Sequence, residues 1–176
     1  MKPTLCCLVL VVLAVPALGQ APAPAANPAV GGLKVFMGQV QTYVTKAAEQ
    51  VNEADYAFKP TPEVRSFGQL IGHVADGNYE ICAAALGETA PVAEVEAKKT
   101  SKADLVAAVN GSFEYCGKAY AMSDEEAFKV APIWGKDRPR FNVLVLNVAH
   151  DWEHYGNIVT YMRLKGMVPP SSQPKQ

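Results

Sequence analysis

The sequence predicts an all-α protein with four main helices. Three observations lead there. Apolar residues recur with a 3.6-residue period in four separate stretches, most of these stretches begin or end on recognisable capping residues, and no run of alternating residues makes a strand. Hydrophobic residues are 49% of the 176-residue chain and charged residues 19%, which is enough apolar material for one buried core.

The chain opens on Met1-Lys2-Pro3-Thr4, a short basic segment, followed by the apolar run Leu5–Val15. Pro16 and the small-x-small triplet Ala17-Leu18-Gly19 come next. This pattern reads as a secretory signal peptide over residues 1–19, because eleven apolar residues are too few to cross a hydrocarbon core of roughly 30 Å as a helix. A retained N-terminal anchor is the alternative. Residues 20–30, "QAPAPAANPAV", are rich in Ala and Pro without any apolar period and read as a leader. The folded domain is expected over residues 31–172, with 173–176 as a polar tail.

The first helix is expected from Leu33 to Glu53, where Val35, Phe36, Val40, Val44, Ala47 and Val51 form a stripe. Two prolines in "DYAFKPTPEV" then force an extended connection. Ser66-Phe67-Gly68-Gln69 is a capping box that starts the second helix, and Gly87 is its expected stop. The third begins near Ser101 and carries Leu105, Val106, Val109, Phe113 and Tyr120; Ser123–Glu126 can add a short turn. "APIWGKDRP" is expected to be a loop of breakers. The fourth helix runs from Pro139 to Lys165 and ends at Gly166, with Pro169 and Pro170 beyond.

Sixteen basic and seventeen acidic residues nearly balance, and no basic run exists, so nucleic acid and anionic membrane surfaces are not expected partners. Removing residues 1–19 removes two of the four cysteines. An even pair, Cys82 and Cys116, in an exported protein invites a disulfide; two buried free thiols are the alternative. Cys82 lies nine residues after His73, about 180° around the same helix and roughly 13 Å along it, so it does not belong to the histidine site.

The chain has three histidines: His73, His150 and His154. His150 and His154 are one turn apart and differ by about 40° on a helical wheel, with Asn147 and Asn157 on the same stripe. The rest of that helix is apolar nearly all round, so the stripe must be buried and must find partners. His73 is mid-helix, with Gly77 one turn on, where it leaves room beside a ring. A divalent metal would satisfy all three imidazoles and leave open positions for a ligand. Asn147 and Asn157 are candidate partners for ring nitrogens that do not bind metal. Asp76 and Glu80 are candidate proton shuttles. Core histidines bonded to Asn147 and Asn157 are the metal-free alternative.

"FKPTPEVRSFGQLIGHVADGNY" and "LNVAHDWEHYGNIVTYMRLKGMVPPSS" together resemble the DinB-like superfamily, in particular its exported bacterial members. The resemblance covers about residues 31–172. It implies a four-helix bundle with up-down-down-up topology and a long crossover. It also implies a metal triad of His73, His150 and His154, zinc or nickel as the divalent ion, and activity of the metal-dependent hydrolase or thiol-transferase kind on a small molecule. Homodimers occur among such bundles. The expectation is therefore an exported, periplasmic or extracellular metal-dependent enzyme. A non-catalytic metal- or ligand-binding bundle and a metal-free structural protein are the alternatives.

Overall fold

The computed structural model describes residues 27–174. Four long helices form the bundle: α1 (Pro28–Gln50), α2 (Phe67–Leu86), α4 (Lys102–Ala119) and α6 (Arg140–Leu164). Between them lie two single-turn helices, α3 (Val95–Lys98) and α5 (Asp124–Ala127), and a hairpin of β1 (Val130–Ile133) and β2 (Lys136–Pro139). Turns of 3₁₀ helix cover Glu53–Ala57 and Pro170–Ser172.

Hydrogen bonds between helix ends define the topology. The start of α1 meets α5 through Asp124, and its end meets the post-α6 segment through Gln50, which donates to the Val168 carbonyl. Thus α1 and α6 run in the same direction. Tyr161, near the end of α6, donates to the carbonyl of Arg65 just before α2. Lys102, at the start of α4, donates to the carbonyl of Glu49 at the end of α1. Hence α2 and α4 both run the other way, giving up-down-down-up order with the crossover at residues 87–101. Val40, Val44, Ile71, Val74, Leu105, Leu144, Ile158 and Met162 are fully enclosed between the four helices. Each large aliphatic side chain so buried contributes roughly 1.5–3 kcal/mol of transfer free energy.

The capping signals act as the sequence suggests. Ser66 and Gln69 form both halves of the capping box, and Gly87 (φ 76°) and Gly166 (φ 72°) end α2 and α6 in the left-handed conformation. Three details differ from expectation. Helix α1 begins at Pro28, inside the segment expected to be leader, because the Asp124 carboxylate accepts from the amides of Ala29 and Val30. That cap comes from a distant part of the chain and leaves no local signal. Residues 130–139 form a hairpin, not a loop, closed at Trp134-Gly135, both at positive φ as a tight two-residue turn demands. Its strands are four residues each and contain Pro132 and Pro139, so no alternation is readable. Pro139 sits just before α6 as its cap, and helical structure starts at Arg140. The signal segment 1–19 and most of the expected leader lie outside the described residues. Among the described residues no helix is long and apolar enough to cross a membrane.

Candidate metal centre

Helices α2 and α6 pack closely, and small residues on α2 decide what fits between them. The ring of His150 lies over Gly77: a Cβ built there would meet His150 Nε2 at 2.9 Å and Nδ1 at 3.1 Å. One turn earlier, Gly72 lets the crossover backbone approach, since its Cβ would be 2.7 Å from Glu96 Cα. These two glycines bring His150 from one side and Glu96 from the other onto His73.

The three imidazoles form one cluster. His73 Nε2 and His150 Nε2 are 3.4 Å apart, and one nitrogen from each of His73, His150 and His154 can be chosen so that all lie within 4.8 Å of one another. Ring centroids are 4.4–5.2 Å apart. His73 Nδ1 is 3.2 Å from Glu96 Oε2, and Glu96 Oε1 accepts from Arg65 Nε at 2.9 Å. The carboxylate therefore selects the His73 tautomer with its proton on Nδ1 and leaves the Nε2 lone pair facing the cluster. His154 Nδ1 is 3.4 Å from the amide of Asn157. His150 Nδ1 is buried without a hydrogen-bond partner, 3.5 Å from an oxygen of Asp151.

Electrostatics favour neutral rings at His73 and His154. Burial lowers the pKa of His73, and the charges of Arg65 and His150 add to this, while Glu96 opposes it. Burial, then His150, His73 and Arg65, push His154 down to about 4. Neutral imidazole is the form that ligates metal. The donor set, the converging nitrogens and the cradle at Gly77 all fit a divalent transition ion.

A model of the DinB superfamily matches residues 37–158, well over half of the chain. This chain belongs to the DinB superfamily. Solved DinB-like structures have the same fold. One from Bacillus cereus gives a TM-score of 0.71 at 14% identity, covering 80% of this chain and 95% of its own. One from Bacillus subtilis gives 0.65 at 18% identity, covering 82% and 99%. A protein assigned to the family from Exiguobacterium sibiricum gives 0.63 at 18% identity, covering 81% and 95%. No curated protein matches the sequence.

Within this DinB fold the sequence-derived candidates separate. His73, His150, His154 and Asn157 come together; Asn147, Asp76 and Glu80 do not join them. Asn147 is fully buried but pairs with Asn78 and Tyr120 instead of a histidine. Asp76 caps α3, accepting from the amides of Val95 and Glu96 at 2.8 and 2.9 Å, and so holds the crossover against α2. Glu80 is exposed and lines a different cavity, beside Trp134 of the hairpin. Cys82 and Cys116 are joined as a disulfide between α2 and α4, with Cα atoms 5.3 Å apart.

Three residues next to the rings escaped sequence reasoning. Glu96 and Arg65 lie on connecting segments, where no helical period places them. Asp151 follows His150 directly and so points off the histidine stripe, yet it is completely buried. Its burial raises its pKa to about 6 against the opposing influence of His150. A carboxylate next to a candidate ligand, on a helix apolar nearly all round, was the one signal the sequence held. Through His154 the cluster borders a cavity of about 550 Å³, lined also by Glu63, Arg65, Glu96, Asn157 and Tyr161 among others.

Proposed function

We propose that this DinB-superfamily chain binds one divalent transition metal ion through His73, His150 and His154 and uses it to bind and activate a small molecule in the adjoining cavity. The separation of 3.4 Å between His73 Nε2 and His150 Nε2 carries this reading. Two nitrogen ligands of a tetrahedral ion, each at about 2.1 Å, are about 3.4 Å apart. An all-imidazole set suits zinc or nickel. Three protein ligands beside an open cavity are the pattern of a catalytic, not a closed structural, centre. A divalent ion held there supplies Lewis-acid activation of a bound water or thiol near neutral pH, the chemistry of a hydrolase or thiol transferase. The chain's own contribution is to hold the His73 and His154 rings neutral, to fix the His73 tautomer through Glu96, and to keep bulk solvent from the α2–α6 interface. The disulfide is compatible with an exported protein acting in an oxidising compartment.

One observation favours a non-catalytic binding protein as the second reading. Both Glu96 oxygens are engaged, Asp76 and Glu80 are elsewhere, and Asp151, though beside His150, is completely buried and does not line the cavity, so none of these carboxylates is a disengaged general base facing it.

Metal titration against a competing chelator tests the shared part of both readings. One ion per chain is expected for the wild type, with binding lost on replacing any of the three histidines by Ala. Gly77→Ala should weaken uptake without unfolding the bundle, because its methyl group displaces the His150 ring. A wild-type protein that takes up neither zinc nor nickel would sink the proposal.

A further inference from the structure

We infer that the small molecule held at this centre carries a carboxylate, and that Arg65 is the residue that recognises it. The inference rests on the proposed metal reading and adds the chemical class of its ligand.

Arg65 presents an uncommitted edge of its guanidinium. Its Nε is taken by Glu96 Oε1 at 2.9 Å, while neither Nη atom has a hydrogen-bond partner among the described residues. The residue is tethered at both ends. Its carbonyl accepts from Tyr161 at 2.7 Å, and its side chain is pinned by Glu96, so the residue is held in the cavity wall. The side chain is 43% exposed, which leaves that edge reachable. A guanidinium anchored through Nε has its paired Nη donors available for the planar fork that matches a carboxylate.

The charges around the cavity point the same way. Its lining includes two carboxylates. Glu96 serves Arg65 and His73, and Glu63 is exposed at the rim. With the imidazoles neutral, a divalent ion and Arg65 together outweigh Glu63 and Glu96 by one positive charge, and the lining has no further anion to offset it. A cavity of about 550 Å³ is within the usual range for small-molecule ligands. The ligand that fits is a small molecule with a metal-binding group at one end and a carboxylate at the other.

Hydroxamates provide probes whose metal-binding end is constant. Zinc-loaded wild-type protein is titrated calorimetrically with acetohydroxamate and with hydroxamates bearing a terminal carboxylate over a series of arm lengths. Each carboxylate probe has a neutral carboxamide twin. For at least one arm length the carboxylate should bind roughly tenfold or more tightly than its twin, the effect of a charge-assisted hydrogen bond. In Arg65→Gln the ratio between twins should fall to about one, and in Arg65→Lys it should be intermediate. Because the ratio is internal to each protein, loss of overall affinity in a variant does not disturb it. Twins that bind alike to the wild type at every arm length, or a carboxylate preference that survives in Arg65→Gln, would overturn the inference and leave the metal reading standing. Failure of acetohydroxamate itself to bind the zinc-loaded wild type would remove the open metal position, and this inference with it.

Discussion

The interface between α2 and α6 contains two polar regions that solve burial in opposite ways. Towards the start of α2, His73, His150 and His154 converge with a ring nitrogen left unpartnered and a cavity beside them. Towards its end, Asn78, Asn147, Ser112 and Tyr120 close on one another. Asn78 and Asn147 pair at 2.7 Å, Tyr120 donates to the Leu144 carbonyl at 3.0 Å, and the Cys82–Cys116 disulfide lies alongside. Asn78 also donates to Ser112 Oγ at 3.2 Å, and Ser112 in turn to the Val109 carbonyl at 2.8 Å; with its amide turned the other way Asn78 would instead donate to Asp151 Oδ2 at 3.1 Å and accept from Ser112. The second region completes its own hydrogen bonds and serves stability. The first leaves lone pairs aimed at a common point, the arrangement the proposed metal binding needs. Polar residues on a buried helix face are therefore not all site residues; what separates them is whether their neighbours use up their hydrogen-bonding capacity.

Breaking the closed region should cost stability and spare metal. Replacing both Cys82 and Cys116 by Ala removes a cross-link between residues 34 apart in sequence. This should lower unfolding free energy by about 3–4 kcal/mol in the chain-entropy model, read from urea denaturation, with metal stoichiometry unchanged. Asn147→Ala strips partners from Asn78 and Tyr120 and should cost about 2–3 kcal/mol, again without loss of metal. Loss of metal in either variant would erase the distinction between the two regions.

Breaking the open region should do the reverse. Glu96→Gln removes the charge behind His73 and should weaken metal affinity by about 10- to 100-fold in chelator competition. The urea midpoint of the metal-free protein should move little, because Glu96 is part-exposed and its pair with Arg65 is solvent-accessible.

The smallest effect expected is in pH dependence, where the two regions meet at Asp151. In metal-free protein His154 titrates near 4, below the value of about 6.5 for the unfolded chain. The unfolded state then binds the extra proton, so this group's contribution to stability falls as pH drops from about 6.5 to 4. His73, also depressed, acts in the same direction. Asp151 titrates near 6, above its unfolded value of 3.8. Its contribution is fully present below about 3.8 and is lost as pH rises through about 6. The two trends oppose each other, so the wild-type stability profile should be shallow between about pH 4 and 6. Asp151→Asn should steepen the decline on the acid side, and urea midpoints across that range check it. An unchanged slope in that variant would mean Asp151 does not titrate there.

What the sequence determined by itself was whatever depends on local spacing. Helical periodicity, the Ser66–Gln69 capping box and the stops at Gly87 and Gly166 identify the four helices. The four-residue interval puts His150 and His154 on one face, and the half-turn offset of Cys82 from His73 separates disulfide from site. Such features are set by backbone geometry within a few residues. Tertiary structure alone decided the partners. Asn147 and Asn157 sit on the same stripe, yet only Asn157 reaches a histidine, because α4 delivers Tyr120 and α2 delivers Asn78 to Asn147. Asp76 is drawn off to cap α3, while Glu96 and Arg65 reach the rings from segments with no period of their own. The start of α1 waited on Asp124 for the same reason. A side chain's hydrogen bonds are shared out among whatever the packed helices bring within about 3 Å, and that allocation is a property of the assembled bundle.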